Sequence, residues 1–259
     1  MIPRRTALLA GLLLPTPALA QPHRATPHAP PPHPPAPAAP AARRAEARLR
    51  AGAPPIGFEL TGASIGRDRV QRLRASGAVG GEIILPSRSG GTGSARVLPM
   101  HDREVILVNL AGLVGTGVAQ QLGALVGVDD QGRLRIIGLE NLDARENSSC
   151  QSEGRLTGRL EPGEDGTLLL ACAFQRVRGP CGQNWTGAMP RLAWTDTLTW
   201  DGRGAVQGEP APDDASRLRH AVANARAKVA AMLTPVVTDL RGVDWEATGV
   251  SEIVLLGLA

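Results

Sequence analysis

Tyrosine is absent from this chain of 259 residues, phenylalanine occurs twice and lysine once, at Lys228. A folded core must therefore be built from aliphatic side chains and the four tryptophans. Cysteine is scarce too, at Cys150, Cys172 and Cys181, with no close pair of the kind that opens a zinc site. No apolar run reaches the roughly 20 residues that a membrane-spanning helix needs, so no membrane span is expected. There is no Gly-x-Ser-x-Gly nucleophile elbow, and Gly90-Gly91-Thr92-Gly93 lacks the following lysine of a phosphate loop. These gaps leave catalytic residues unassigned and give no reason to expect a cofactor or a metal.

What is present begins with an export signal. Arg4 and Arg5 precede the apolar run from Ala7 to Leu14, a Pro15-Thr16-Pro17 breaker follows, and Ala18-Leu19-Ala20 forms a small-residue cleavage site. Cleavage after Ala20 gives a periplasmic or secreted protein starting at Gln21. The paired arginines admit the twin-arginine route beside the general one, although Ala7 stands where that signal usually carries a large apolar residue. Residues 21–54 are rich in proline and alanine, nearly continuous in proline from Pro30 to Pro35, and read as a disordered, extended spacer. Its His23, His28 and His33 read as solvated, because no fixed geometry gathers them.

Of the net charge of +4, the signal carries +2 and the spacer +4, so residues 51–259 carry −2. A domain without surplus positive charge has no footprint for phosphates, and nucleic-acid binding is not expected. A cell-envelope polymer or protein is the class of partner that an exported domain on a spacer suggests. Residues 55–259 are long enough for a single domain able to bury most of its apolar surface.

Short apolar runs broken by glycine-rich turns predict antiparallel strands. The runs Leu122 to Val128 and Arg133 to Leu139 flank a turn closed by Gly132. Arg155 to Leu160 and Thr167 to Phe174 flank Pro162-Gly163-Glu164-Asp165-Gly166. Alternation sets Leu156 and Leu160 on one face, with Leu168, Leu170, Cys172 and Phe174 on the facing strand. Leu192 to Trp200 alternates again. A helix follows, capped by Asp213 or Asp214, with Leu218, Val222, Ala225, Val229, Met232 and Leu233 as its apolar stripe and Arg217, Arg219, Arg226 and Lys228 on its other face. A last strand is expected over Glu252 to Leu256. The fold class that results is α+β, a largely antiparallel meander with one C-terminal amphipathic helix packed against it.

Several residues could carry chemistry. Gly115-Thr116-Gly117 after an apolar strand, with Glu140 beyond, has part of a dinucleotide-binding fingerprint, but Gln120 stands where glycine or alanine is wanted. His101 and His220 are the domain's only histidines, and both read as loop or surface residues. Asp129 and Asp130 are accounted for by a tight turn. Asp196 shares a face with Leu192, Trp194, Leu198 and Trp200, so its carboxylate falls on the apolar side and must be paired. It is either a structural ion pair or, with Trp194 and Trp200, part of a ligand-binding cleft where indole faces stack on a sugar ring. These features make a non-enzymatic binding or envelope-associated module the leading function, and an exported hydrolase or cofactor-dependent oxidoreductase the alternative.

The cysteines follow from the hairpin. A turn centred near Glu164 pairs Leu156 with Cys172 and sets Cys150 near Arg178, three residues short of Cys181. In an oxidising compartment this spacing predicts a Cys150–Cys181 disulfide, worth about 2–4 kcal/mol, with Cys172 buried and unreactive.

Overall fold

The computed structural model describes residues 43–77, 79–87, 93–115, 118–146, 153–178, 191–243 and 248–249. They form two antiparallel sheets and one helix. The smaller sheet is β1 (Arg43–Ala47), β2 (Ile56–Ile65), β3 (Asp68–Ala75) and β4 (Gly81–Pro86), paired in that order. The larger is an unbroken meander: β5 (Ala95–Met100), β6 (Arg103–Gly115), β7 (Val118–Val128), β8 (Leu134–Glu146), β9 (Glu153–Pro162), β10 (Leu168–Arg178), β11 (Arg191–Thr199) and β12 (Gln207–Gly208). The helix α1 (Arg217–Leu233) packs against β8 and β12. The expected α+β meander with its C-terminal helix is therefore present, with a second sheet that the sequence reading did not separate from it.

The strands β6 to β8 are long and apolar on both faces because both are covered. Ile106, Val108, Leu110, Leu122, Ala124, Val126 and Ile136 meet Leu49, Phe58, Leu60, Leu73, Ile83 and Leu85 of the smaller sheet and its flank. From the opposite face Val105, Leu107, Leu125 and Ile137 meet Leu156, Leu160, Leu170, Phe174 and Leu198. An extra residue in β6 between Ala111 and Val114, and extra residues in β8 at Leu142 and Ile137, opposite Gln121/Leu122 and Leu125/Val126 of β7, bend these strands. The meander curls far enough for the Arg96 side chain on β5 to bond the Leu160 carbonyl on β9. The His101 amide likewise bonds the Gly166 carbonyl. Gly123 and Gly127, which break the apolar run of β7, mark close approaches: a Cβ on Gly127 would lie 2.7 Å from the Trp200 ring.

The helix takes part in both cores. Leu218, Ala221, Val222 and Ala225 enter the second, and Val229 and Leu233 the first. Its N-cap is Ser216, whose hydroxyl accepts from the Arg219 amide, and not Asp213 or Asp214 as the sequence suggested. No basic residue stands in its last turn; instead Arg135 of β8 donates to the carbonyls of Leu233, Thr234 and Pro235.

Three further expectations are corrected. The 21–54 spacer assignment overlaps the fold, since β1 pairs with β2 and both Ala47 and Leu49 are buried. In the run Arg43 to Arg50 these two apolar residues alternate with charged ones that face solvent, as in a strand with one buried face. Moving the boundary to Arg43 brings four arginines and Glu46 into the folded part and changes its charge from −2 to +1, still no basic surplus. The β9–β10 hairpin turns about Asp165, not Glu164, through a 3-10 turn at Glu164–Gly166 in which Asp165 and Gly166 take positive φ. Leu156 thus faces Phe174, and Cys172 faces Gly158. Finally, Arg226, assigned to the outer face of the helix, is buried.

Cys150 and Cys181 lie outside the described residues, as does the strand expected over Glu252 to Leu256. Cys172 is buried among Leu170, Phe174 and Leu156, and burial pushes its thiol up to about 12. Because the thiolate is the reactive form, native protein at pH 8 should leave Cys172 unalkylated by iodoacetamide while urea-unfolded protein is labelled within minutes. Equal labelling rates in the two states, read by peptide mass spectrometry, would show that the β9–β10 face is open.

Candidate functional site

The second core holds charge. Arg226 sits on the buried stripe of α1, four residues after Val222 and three before Val229. Its Nε donates to Glu140 Oε1 at 2.8 Å, and its Nη2 donates to Glu140 Oε2 at 3.3 Å and to Asp196 Oδ2 at 3.1 Å. The other Asp196 oxygen accepts from Arg219 Nε at 3.1 Å, and the Trp194 indole donates to Asp196 Oδ2 at 3.2 Å. Glu140 comes from β8, Asp196 and Trp194 from β11, and both arginines from α1. Burial pushes the Glu140 carboxyl above the usual carboxylate range, against the pull of Arg226. Burial also opposes the Arg226 charge, but Glu140 and Asp196 outweigh it and hold the guanidinium above its ordinary value.

One nitrogen of this cluster is left over. Arg226 Nη1 is buried and has no hydrogen-bond partner. It lies under Gly208 of β12, where a Cβ would come within 2.6 Å of it. Beside it, between α1 and the segment from Val206 to Ala211, opens a cleft of about 290 Å³. Ala223, Ala227 and Ala230 give this cleft its room, and Gln207, Glu209, His220 and Asn224 supply polar groups around Arg226. A buried donor without an acceptor costs about 1–3 kcal/mol, a cost that an acceptor reaching it from the cleft would remove.

The sequence-derived candidates are distributed as follows. Trp194 and Asp196 are brought together by their hydrogen bond. Trp200 is held elsewhere, with its indole donating to the Arg203 carbonyl at 3.0 Å and the Arg103 guanidinium 5.3 Å from its ring centroid. None of the three lines the cleft, and Asp196 reaches it only through Arg226. His220 does line it. His101 occupies the two-residue turn between β5 and β6 at positive φ. The β6–β7 pair is antiparallel, which removes the strand-turn-helix that a dinucleotide fingerprint at Gly115 to Gly117 requires, and Glu140 serves Arg226 instead. Asp129 closes its turn by accepting from the amides of Gln131 and Arg133.

Arg226 was missed because the outer face of the helix was drawn from residue type and not from position. Its i+4 and i−3 relation to two buried valines, together with an apolar-face carboxylate at Asp196 in need of a partner, was the available signal. A second hollow, of about 380 Å³, is lined by Asp129, Asp130, Arg133, Arg135 and Arg203. There Asp129 pairs with Arg133, Asp130 with Arg203 and Arg103, and Arg135 with the helix carbonyls through Nη2, while its buried Nε has no hydrogen-bond partner. Among the described residues no group of three or more His, Cys, Asp or Glu side chains could hold a metal ion, and no helix is long and apolar enough to cross a membrane.

No protein-family model, curated protein or solved structure matches the chain.

Removing Arg226 would strand two buried carboxylates, so Arg226→Met should cost about 3–5 kcal/mol in urea unfolding. The triple variant with Glu140→Gln and Asp196→Asn should recover part of that loss, and a single-variant cost below about 1 kcal/mol would mean that water already screens the cluster. The folded-state value of Glu140 lies above its unfolded value of about 4.3. Its contribution is therefore fully present below that pH and is lost as the pH rises through the raised value. Glu140→Gln should flatten this fall in a pH series of unfolding midpoints.

Proposed function

We propose that the protein is an exported, non-enzymatic binding module, tethered by its proline-rich spacer and taking its ligand in the cleft beside Arg226. The observation that carries this reading is the unpartnered, buried Nη1 of Arg226 at a cleft of small-ligand size. The signal-like first twenty residues and the spacer support export to the periplasm or beyond, where an envelope polymer, its fragments or an envelope protein is the class of partner within reach. Trp194 and Asp196 act in this reading by fixing Arg226 and Arg219, and not by stacking on the ligand.

A thermal-shift screen of the purified protein against metals, nucleotides, sugars, amino acids and cell-wall fragments should give a ligand that raises the melting temperature. Ala227→Leu, which fills the cleft from an exposed helix position without touching the ion cluster, should abolish that rise. A rise that survives in Ala227→Leu would place the binding site elsewhere.

Export also bears on the cysteines. The last described pair of the β9–β10 ladder is Glu153 opposite Arg178, and Cys150 and Cys181 stand three residues beyond on either chain. This count supports the Cys150–Cys181 disulfide. Non-reducing peptide mapping of protein from the oxidising compartment should recover that linkage and a free Cys172, and a Cys172–Cys181 peptide would refute it.

A further inference from the structure

We infer that the cleft takes a small zwitterion, an amino acid or a short peptide with both ends free, its carboxylate on Arg226 and its ammonium on Glu209. This deepens the reading of the cleft as the binding site and rests on it. Arg226 Nη1 carries two hydrogens with no acceptor, and its guanidinium is otherwise fixed by two carboxylates, so it presents a rigid donor pair. A carboxylate oxygen is a charged acceptor for an N–H of that nitrogen. Gly208 is the residue type that lets a ligand oxygen approach, because any side chain there would collide with Nη1. It belongs to a strand of only two residues, paired at Leu198 and Thr199.

The opposite requirement comes from Glu209, which is exposed and has no ion pair among those found in the described residues. A dianionic phosphate would meet this carboxylate as a like charge, whereas a ligand with an ammonium at its far end is attracted by it. Ala223, Ala227 and Val206 are among the residues that line the cleft with Arg226 and Glu209, and they suit a short aliphatic group. About 290 Å³ is the scale of one or two small residues.

The test is isothermal titration calorimetry of the full mature chain with four probes: alanine, alanyl-alanine, alaninamide and N-acetylalanine. Alaninamide lacks the carboxylate and N-acetylalanine lacks the ammonium. Alanine or alanyl-alanine should bind at least tenfold more tightly than either blocked compound, and which of the two is preferred identifies a free amino acid or a peptide as the source. Glu209→Gln should bring the preferred zwitterion down to the affinity of N-acetylalanine, and Ala227→Leu should abolish binding. Equal affinities for all four probes, or no heat from any of them, would overturn the inference. A ligand of another class that is still lost in Ala227→Leu would overturn the zwitterion while leaving the cleft as the binding site; ligand binding untouched by Ala227→Leu would overturn both.

Discussion

One guanidinium dictates how the large sheet must bend. Glu140 stands on β8 and Asp196 on β11, with β9 and β10 between them, which in a flat sheet is three strand spacings or about 14 Å. Side chains rise nearly perpendicular to a sheet, so a flat meander would hold the two carboxylates about that far apart. Both nevertheless bond Arg226, at 2.8 and 3.1 Å. The sheet therefore wraps around the first turns of α1, and the bulges in β6 and β8 and the contact of Arg96 with Leu160 belong to the same curl. Exchanging the cluster for apolar side chains of similar volume could leave the protein as stable, since burying charge recovers little beyond its own desolvation. What the cluster adds is position: it sets α1 at one height against both strands.

The legible part of this fold was the part governed by periodicity. From β9 to β11 the strands alternate apolar and polar residues, while β7 and the start of β8 read as nearly continuous apolar runs around a glycine turn, and strands, turns and inward faces follow from these patterns. The smaller sheet was harder to read because charged residues fill three of the five positions of β1 and four of the eight of β3, and the buried positions are few: Ala47 in β1, Leu49 just after it, and Val70, Gln71 and Leu73 in β3. The register of the β9–β10 hairpin was missed by two residues because a 3-10 turn moves the centre by one position, and turn geometry of that kind depends on Asp165 taking positive φ, which its residue type permits without requiring it.

The site was legible only as a need. A carboxylate at Asp196 on the apolar face demanded a partner, and β11 supplies only the neutral Trp194 indole; the positive partner comes from 30 residues away, on a helix whose arginines resemble one another in sequence. Position along the helix separates them. Arg219 is one residue past buried Leu218 and reaches Asp196 from the side, while Arg226 is in line with Val222 and Val229 and enters the core.

That placement has a consequence for ligand chemistry. Arg226 meets its carboxylates through Nε and Nη2: Glu140 takes the Nε–Nη2 edge, Asp196 takes the second Nη2 hydrogen on the side shared with Nη1, and the hydrogens of Nη1 itself are left unused. A planar group with five donors cannot turn to share the unused pair without breaking a buried ion pair, so the direction of the free N–H bonds is fixed before any ligand arrives. Preorganisation of this kind removes ordering cost from binding and makes selectivity a matter of what acceptor geometry fits. Lysine in the same place would offer a rotating point charge, and the two carboxylates would absorb it whole. The identity of the residue as arginine, more than its charge, is what leaves a donor for something outside the protein.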